Sequence, residues 1–322
     1  MRLDEKNDIE NYARLLEEVF DIQGVMTFAW YMLSKAKYVI EGDMGYRIPL
    51  LVVEGERDTG KTELARAIAA IDIEEGLSTR ACFHNLEIMP CSRLKDLANG
   101  NARFCVLEEL KPDSKKIAEQ LNERKKEGPM LLVTSLHKSA VKQVEEQSII
   151  VSLPQRHFTC HAHTLLEELR KIEKEAFAYK RCFDYSPYKF DDAYKEWKEK
   201  LNSYIKDMGM SHLTVTAQRL VNYYAMPIAV WDCQDLDTDM QNRLANYILR
   251  CLDRRLHLAR SDKRRTVLQR TVHDNGEVTL TWHHPDDDGQ SIVFEDELLF
   301  KGFIHMLKMM EATNAGSVEV CM

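Results

Sequence analysis

The 322-residue sequence lacks any apolar stretch long enough to cross a membrane. Its apolar runs are short, as at Ile48–Val53 around Pro49 and at Met130–Val133, where a spanning helix needs about 20 residues, so no membrane contact is expected. It lacks a Cys-x-x-Cys pair. The eight cysteines, at 82, 91, 105, 160, 182, 233, 251 and 321, are scattered, which reads as reduced, mostly core thiols. It also lacks an excess of positive charge. Forty-four Lys and Arg stand against 52 Asp and Glu, a net charge of −8, so the chain is no basic nucleic-acid coat. Any contact with nucleic acid has to come from a local basic patch. Internal repeats and low-complexity segments are absent. The N-terminal MRLDEKNDIENY is charged and has no apolar core of a secretory leader, so the protein is expected in the cytoplasm and not secreted.

What is present is the balance of a soluble globular protein, 44% hydrophobic and 30% charged residues, enough to bury a sizeable core. The length suggests about two domains. Ile9, Tyr12, Leu16, Val19 and Phe20 recur at helical spacing over 8–20, and a more apolar helix follows from Val25 to about Lys37. Strands at 50–54, 81–84, 103–107, 130–134 and 148–152 alternate with helices near 61–71, 113–125 and 137–145. Alternation of this kind predicts a parallel sheet with helices on both faces. Beyond Pro154 the pattern is helical, over 164–208 with a break at Ser186-Pro187, over 213–225 and over 238–259. Asp274-Asn275-Gly276 is a hairpin-turn signal between strands at 266–272 and 277–282. A loop with Pro285 and three aspartates, a short strand at 291–294 and a helix at 297–311 follow. The expected organisation is N-terminal helices at 1–45, an α/β core at 46–158 and a mostly helical region at 159–322 with the hairpin at 266–282.

Gly55-Glu56-Arg57-Asp58-Thr59-Gly60-Lys61-Thr62 matches G-x-x-x-x-G-K-[ST] in full. Its glycines let the loop fold so that successive N–H groups cradle phosphate oxygens, and the helix beginning at Lys61 adds the positive end of its dipole. Lys61 would contact the β and γ phosphates of ATP, and Thr62 would offer its hydroxyl to Mg²⁺. A strand ends at the motif and an Ala/Leu-rich helix, Glu63–Ala70, begins directly after it. That context makes the fold class α/β, with a P-loop ATPase core around a central parallel sheet.

Phe104-Cys105-Val106-Leu107-Glu108-Glu109 is an apolar strand ending in two carboxylates. Phosphoryl transfer to water needs an acidic group for the Mg²⁺ shell and a second group to orient the attacking water. Glu108 is assigned to the metal and Glu109 to the water, an arrangement for which a small-molecule kinase has no use. The strand Met130–Val133 delivers Thr134 and Ser135 to the same edge. Thr134 either lies near the γ-phosphate, between the loop and the acidic strand, or simply caps its strand. Arg156, on the loop after the last core strand, reads either as an arginine finger for a neighbouring subunit or as a surface residue.

The loop GERDTGKT, the strand FCVLEE and the strand LLVTS followed by an Arg resemble the core of an additional-strand ATPase of the AAA+ kind. Within that class they are most similar to the superfamily-3 helicase cores of viral, phage and plasmid replication proteins, some of which carry paired glutamates after the second strand. The resemblance covers about residues 48–157. It implies an oligomeric ATPase acting on DNA. The chain departs from the pattern at two places. Thr134-Ser135-Leu136 stands where those helicases place an Asn on the third strand, and only Leu110 to Pro129 lies where they insert a DNA-gripping hairpin. That segment has room for one basic helix (Lys111, Lys115, Lys116, Arg124, Lys125, Lys126) and a turn, which argues against processive unwinding.

Two further clusters stand out. His157, Cys160, His161 and His163 are of zinc-ligating type, and His161-Ala162-His163 looks like the His-hydrophobic-His element of rolling-circle nucleases, with Tyr179 as a conceivable nucleophile. Satisfied histidines beside the core are the plainer reading. Arg250, Arg254, Arg255, Arg260, Lys263, Arg264, Arg265 and Arg270 fall within 21 residues, as contact with a phosphate backbone requires. With the hairpin they would suit a winged helix, and equally a solvated face paired with nearby acids. Arg254, Arg255, Arg264 and Arg265 are the candidate DNA contacts. The function expected is Mg²⁺-dependent ATP hydrolysis by a homo-oligomer that binds or remodels DNA. The alternative is a nucleotide-operated switch acting on a protein partner in a signalling or defence assembly.

Overall fold

The computed structural model describes residues 3–72, 83–98, 104–111, 115–123, 129–154, 164, 167, 187–208, 214–256, 267–272, 278–284, 287–294 and 320–321. The chain forms two compact units, Met1–Leu256 and His257–Met322. The boundary expected near 158 lies outside the described residues.

The first unit is built on a five-stranded sheet with the order β2-β3-β4-β1-β5, every neighbouring pair parallel. Its strands are β1 (Leu50–Glu54), β2 (Phe83–Asn85), β3 (Phe104–Glu108), β4 (Met130–Ser135) and β5 (Ser148–Ser152). The three central strands are apolar at almost every position and buried on both faces, as parallel strands between helical layers must be. Leu50, Val52, Cys105, Leu107, Leu131 and Val133 point to one face. There they pack with Leu94 and Ala98 of α4 (Cys91–Ala98), Ala118 and Leu121 of α5 (Lys115–Asn122), and Ala140 and Val141 of α6 (Lys138–Val141). Side chains alternate along a strand, so Leu51, Val53, Val106, Glu108, Leu132 and Thr134 face the other layer, which contains α3 (Lys61–Asp72).

Helices α1 (Leu3–Phe20) and α2 (Ile22–Met32) are joined to this core by hydrogen bonds. Tyr12 Oη donates to the Ala67 carbonyl at 2.8 Å and Trp30 Nε1 to the Pro49 carbonyl at 3.0 Å. A 3-10 turn, Leu33–Ala36, and a π-helical turn, Tyr38–Asp43, lead on from α2 towards β1. Lys37, between the two turns, and Glu41 form a buried pair at 3.0 Å, and Glu41 Oε1 accepts the Ile48 N–H at 3.0 Å.

Helices α7 (Pro187–Asp207), α8 (Val215–Cys233) and α9 (Thr238–Leu256) complete the unit. The helix expected over 213–225 runs on to Cys233, straight through Pro227. A proline in a helix interior removes one hydrogen bond and crowds the preceding turn. Here α8 is buried along almost all of Leu220–Trp231, and tertiary packing of that extent outweighs the local cost. Three other expectations are corrected. Helix α4, of eight residues, is new. The single helix expected over 137–145 is α6, a turn and the 3-10 segment Glu145–Gln147. The loop expected to hold the three aspartates is partly strand, because β8 (Asp287–Phe294) already begins at the second of them.

The second unit contains a four-stranded sheet of order β8-β7-β6-β9. Strands β6 (Val267–Val272) and β7 (Val278–His284) are antiparallel with Val272 opposite Val278, while β9 (Val320–Cys321) joins β6 in parallel. The turn residues Asp274-Asn275-Gly276 and the helix expected at 297–311 lie outside the described residues.

Candidate active site

The site gathers where β1, β3 and β4 end. Gly55 follows β1, and its N–H donates to the Ser135 carbonyl at 3.3 Å. A Cβ at Gly55 would lie 2.6 Å from Thr59 Oγ1 and 3.0 Å from the Leu153 carbonyl, so only glycine lets the loop close against its own far side and the end of β5. The chain then reverses through Asp58 at φ +62° and Gly60 at φ +86°, left-handed positions that release it into α3. The Leu64 N–H to Gly60 carbonyl bond, 2.9 Å, closes the first helical turn.

Lys61 is 6% exposed, the first residue of that helix. Its ammonium donates to the Gly55 and Glu56 carbonyls at 2.9 and 2.6 Å. Burial pushes its pKa down, and the charges of Glu109 and Asp58 oppose that shift. The next residue turns toward β3, where Thr62 Oγ1 donates to Glu108 Oε1 at 3.2 Å.

Glu109 leaves β3 with φ +67°, and its N–H donates to Thr134 Oγ1 at 3.3 Å. Strand β4 lies between β1 and β3, and Thr134 and Ser135 are buried. Lys61, Thr62, Glu108, Glu109 and Thr134 are therefore brought to one sheet edge from three separate stretches of chain. Two flanking contacts have no mark in the sequence motifs. Ser152 Oγ donates to Glu54 Oε1 at 2.6 Å, tying the ends of β5 and β1, and Lys111 pairs with Glu87 at 2.5 Å.

Other expected site residues lie elsewhere. Arg156, Arg264, Arg265 and the His157/Cys160/His161/His163 cluster are outside the described residues. Arg254 is exposed near the end of α9. Arg255 is engaged, its guanidinium donating to the Ser148 carbonyl at 2.7 Å and to the Glu145 carbonyl. Among the described residues no group of three or more His, Cys, Asp or Glu side chains could hold a metal ion, and no helix is long and apolar enough to cross a membrane.

The sheet order, the loop between β1 and α3 and the acidic end of β3 define an α/β fold with a P-loop ATPase-like core. No family model matches the chain, and no curated protein is similar to it. One solved structure with this fold is SCCmec type IV Cch, an active helicase, with a TM-score of 0.52 at 11% identity. The match covers 84% of this chain and 60% of the helicase. The likeness extends well beyond the five strands, and at this identity it speaks for the fold alone.

Proposed function

We propose that the chain is a Mg²⁺-dependent ATPase of the AAA+ or superfamily-3 kind, working as a homo-oligomer that binds or remodels DNA. The observation that carries this reading is the 3.2 Å bond between Thr62 Oγ1 and Glu108 Oε1. A hydroxyl and a carboxylate meeting beside a phosphate loop form the hard-oxygen donor set that Mg²⁺ takes. Those two residues would hold the ion, whose charge would offset that of the β and γ phosphates when bound.

The remaining roles follow from position. Backbone N–H groups of 56–60 and the start of α3 receive the phosphates, and Lys61 exchanges two loop carbonyls for phosphate oxygens. Glu109 takes a proton from the attacking water as the new O–P bond forms at the γ-phosphorus. The bond to the β–γ bridging oxygen breaks, leaving ADP and phosphate. Thr134 steadies Glu109 through its backbone N–H. Arg156 acts on a neighbouring subunit's nucleotide, and Arg254, Arg264 and Arg265 lie against the DNA backbone. A cytoplasmic location, or wherever that DNA resides, goes with this reading.

The test is ATP turnover against concentration of single-stranded, duplex and forked DNA at two salt levels. Turnover that rises with DNA at low salt and less at high salt is the expected result. A flat response to every DNA and to RNA would replace the DNA role with that of a switch acting on a protein partner. No Mg-ATP binding in calorimetry would remove the ATPase itself.

A further inference from the structure

A left-handed φ at a residue with a Cβ is uncommon. Where it occurs at a strand end, neighbouring groups over-determine it, and such positions cluster at functional sites. Glu109, at φ +67°, is held in this way by the end of β4. Its own N–H goes to Thr134 Oγ1 at 3.3 Å, and the Leu110 N–H goes to the Thr134 carbonyl at 3.0 Å. Ser135 supplies the rest. Its hydroxyl donates to the Leu110 carbonyl at 2.8 Å and accepts the His137 N–H at 3.1 Å. Ser135 is fully buried, at 0% exposure.

Ser135 and Thr134 point to opposite faces of β4 because side chains alternate. Thr134 shares the α3 face with Glu108, while the Ser135 hydroxyl lies behind the sheet edge. It grips the residue after Glu109 rather than anything bound in front. We infer that Ser135 is a positioning residue for Glu109: its hydroxyl fixes the Leu110 peptide, so that the left-handed turn at Glu109 has one geometry and the carboxylate one direction. This inference rests on the ATPase reading and on Glu109 as the water-orienting group.

A serine that merely finished the strand would behave differently from one that acts through Glu109. The experiment measures steady-state and single-turnover ATP hydrolysis by the full chain, with Mg-ATP affinity read separately by calorimetry. The variants are Ser135→Ala and Ser135→Cys, each alone and combined with Glu109→Gln. Ser135→Ala is expected to lower kcat roughly tenfold to a hundredfold and leave Mg-ATP affinity unchanged. Ser135→Cys puts a slightly larger thiol, a weaker donor, in place of the hydroxyl and is expected to fall between; it carries the comparison if the alanine variant does not fold. In the Glu109→Gln background neither change should reduce the residual rate further, since the group being positioned is gone. A wild-type kcat in both single variants, or an equal loss in the Glu109→Gln background, would overturn the role. Absence of turnover in the unmodified chain, or full turnover by Glu109→Gln, would instead sink the reading beneath it, and that is visible before any Ser135 variant is compared.

Discussion

Thr62 Oγ1 lies 3.2 Å from Glu108 Oε1, although 46 positions of sequence separate them. The bond spans the first turn of α3 and the last residue of β3. If the pair holds Mg²⁺ as proposed, neither residue would need to move far to reach it.

Lys61→Ala should abolish tight Mg-ATP binding, because it removes the positive charge at the head of α3. Glu109→Gln should keep binding and cut turnover to a small residual rate, because it deletes a proton acceptor and no phosphate contact. Calorimetry and a phosphate-release assay on the two variants separate the effects. Equal loss of binding in both would remove the assignment of Glu109.

Lys61 gives a pH dependence. Burial depresses its pKa below the ordinary 10.5, so its charge is lost at a lower pH than that of an exposed lysine. A neutral amine attracts phosphate less, and nucleotide affinity should therefore decline on the alkaline side before 10.5 is reached. Bound phosphate favours the charged form, so binding in that range should take up protons. Calorimetry in two buffers of different ionisation enthalpy measures the uptake. An affinity flat up to that pH would count against the ammonium as a phosphate contact.

Arg255 should prove structural. Its guanidinium joins the last turn of α9 to the Ser148 and Glu145 carbonyls, and charge-assisted bonds of this kind contribute about 1.5–3 kcal/mol each. Arg255→Ala should lower Tm by several degrees. DNA contact is therefore better tested with Arg254→Glu, Arg264→Glu and Arg265→Glu while Arg255 is kept. That triple variant should weaken DNA binding and flatten its salt dependence. An unchanged salt slope would move the DNA surface elsewhere.

If Arg156 serves a neighbouring subunit, turnover per chain should rise with protein concentration. Mixing an Arg156→Ala chain with a Lys61→Ala chain should then restore activity at sites shared between them. Concentration-independent turnover by a species that sediments as a monomer would remove that role.

The strands were legible because each is a short apolar run ended by polar or turn residues. β1 spans 50–54 and β5 148–152, as the sequence pattern predicts, and β3 and β4 each run one residue past their expected ends, with residue 103 outside the described ones. Of β2, expected at 81–84, residues 81 and 82 lie outside the described ones, and the strand runs one residue past its expected end, on the edge, where burial constrains the pattern least. The phosphate loop was readable because its constraints are local: a glycine where a Cβ would clash, another at positive φ, and a lysine opening the helix. The far end of α8 was not legible, since a proline's local cost at Pro227 is visible in sequence and the packing that overrides it is not. The bonds of Ser135 to Leu110 and of Arg255 to Ser148 join residues 25 and 107 positions apart. Serines and arginines have many other uses, and nothing in their spacing announces these partners.

The outer rim of β5 has a further meaning. The Ile150 N–H donates to Tyr224 Oη of α8 at 3.4 Å, and the Ser148 carbonyl is taken by Arg255. An open rim of strand is a template on which another chain can add a strand of its own. Here α8 and α9 occupy those groups, and the opposite rim is β2. At these two positions β5 is thus closed to a strand added from another copy of this chain, so that rim gives no ready seam for joining two five-stranded sheets.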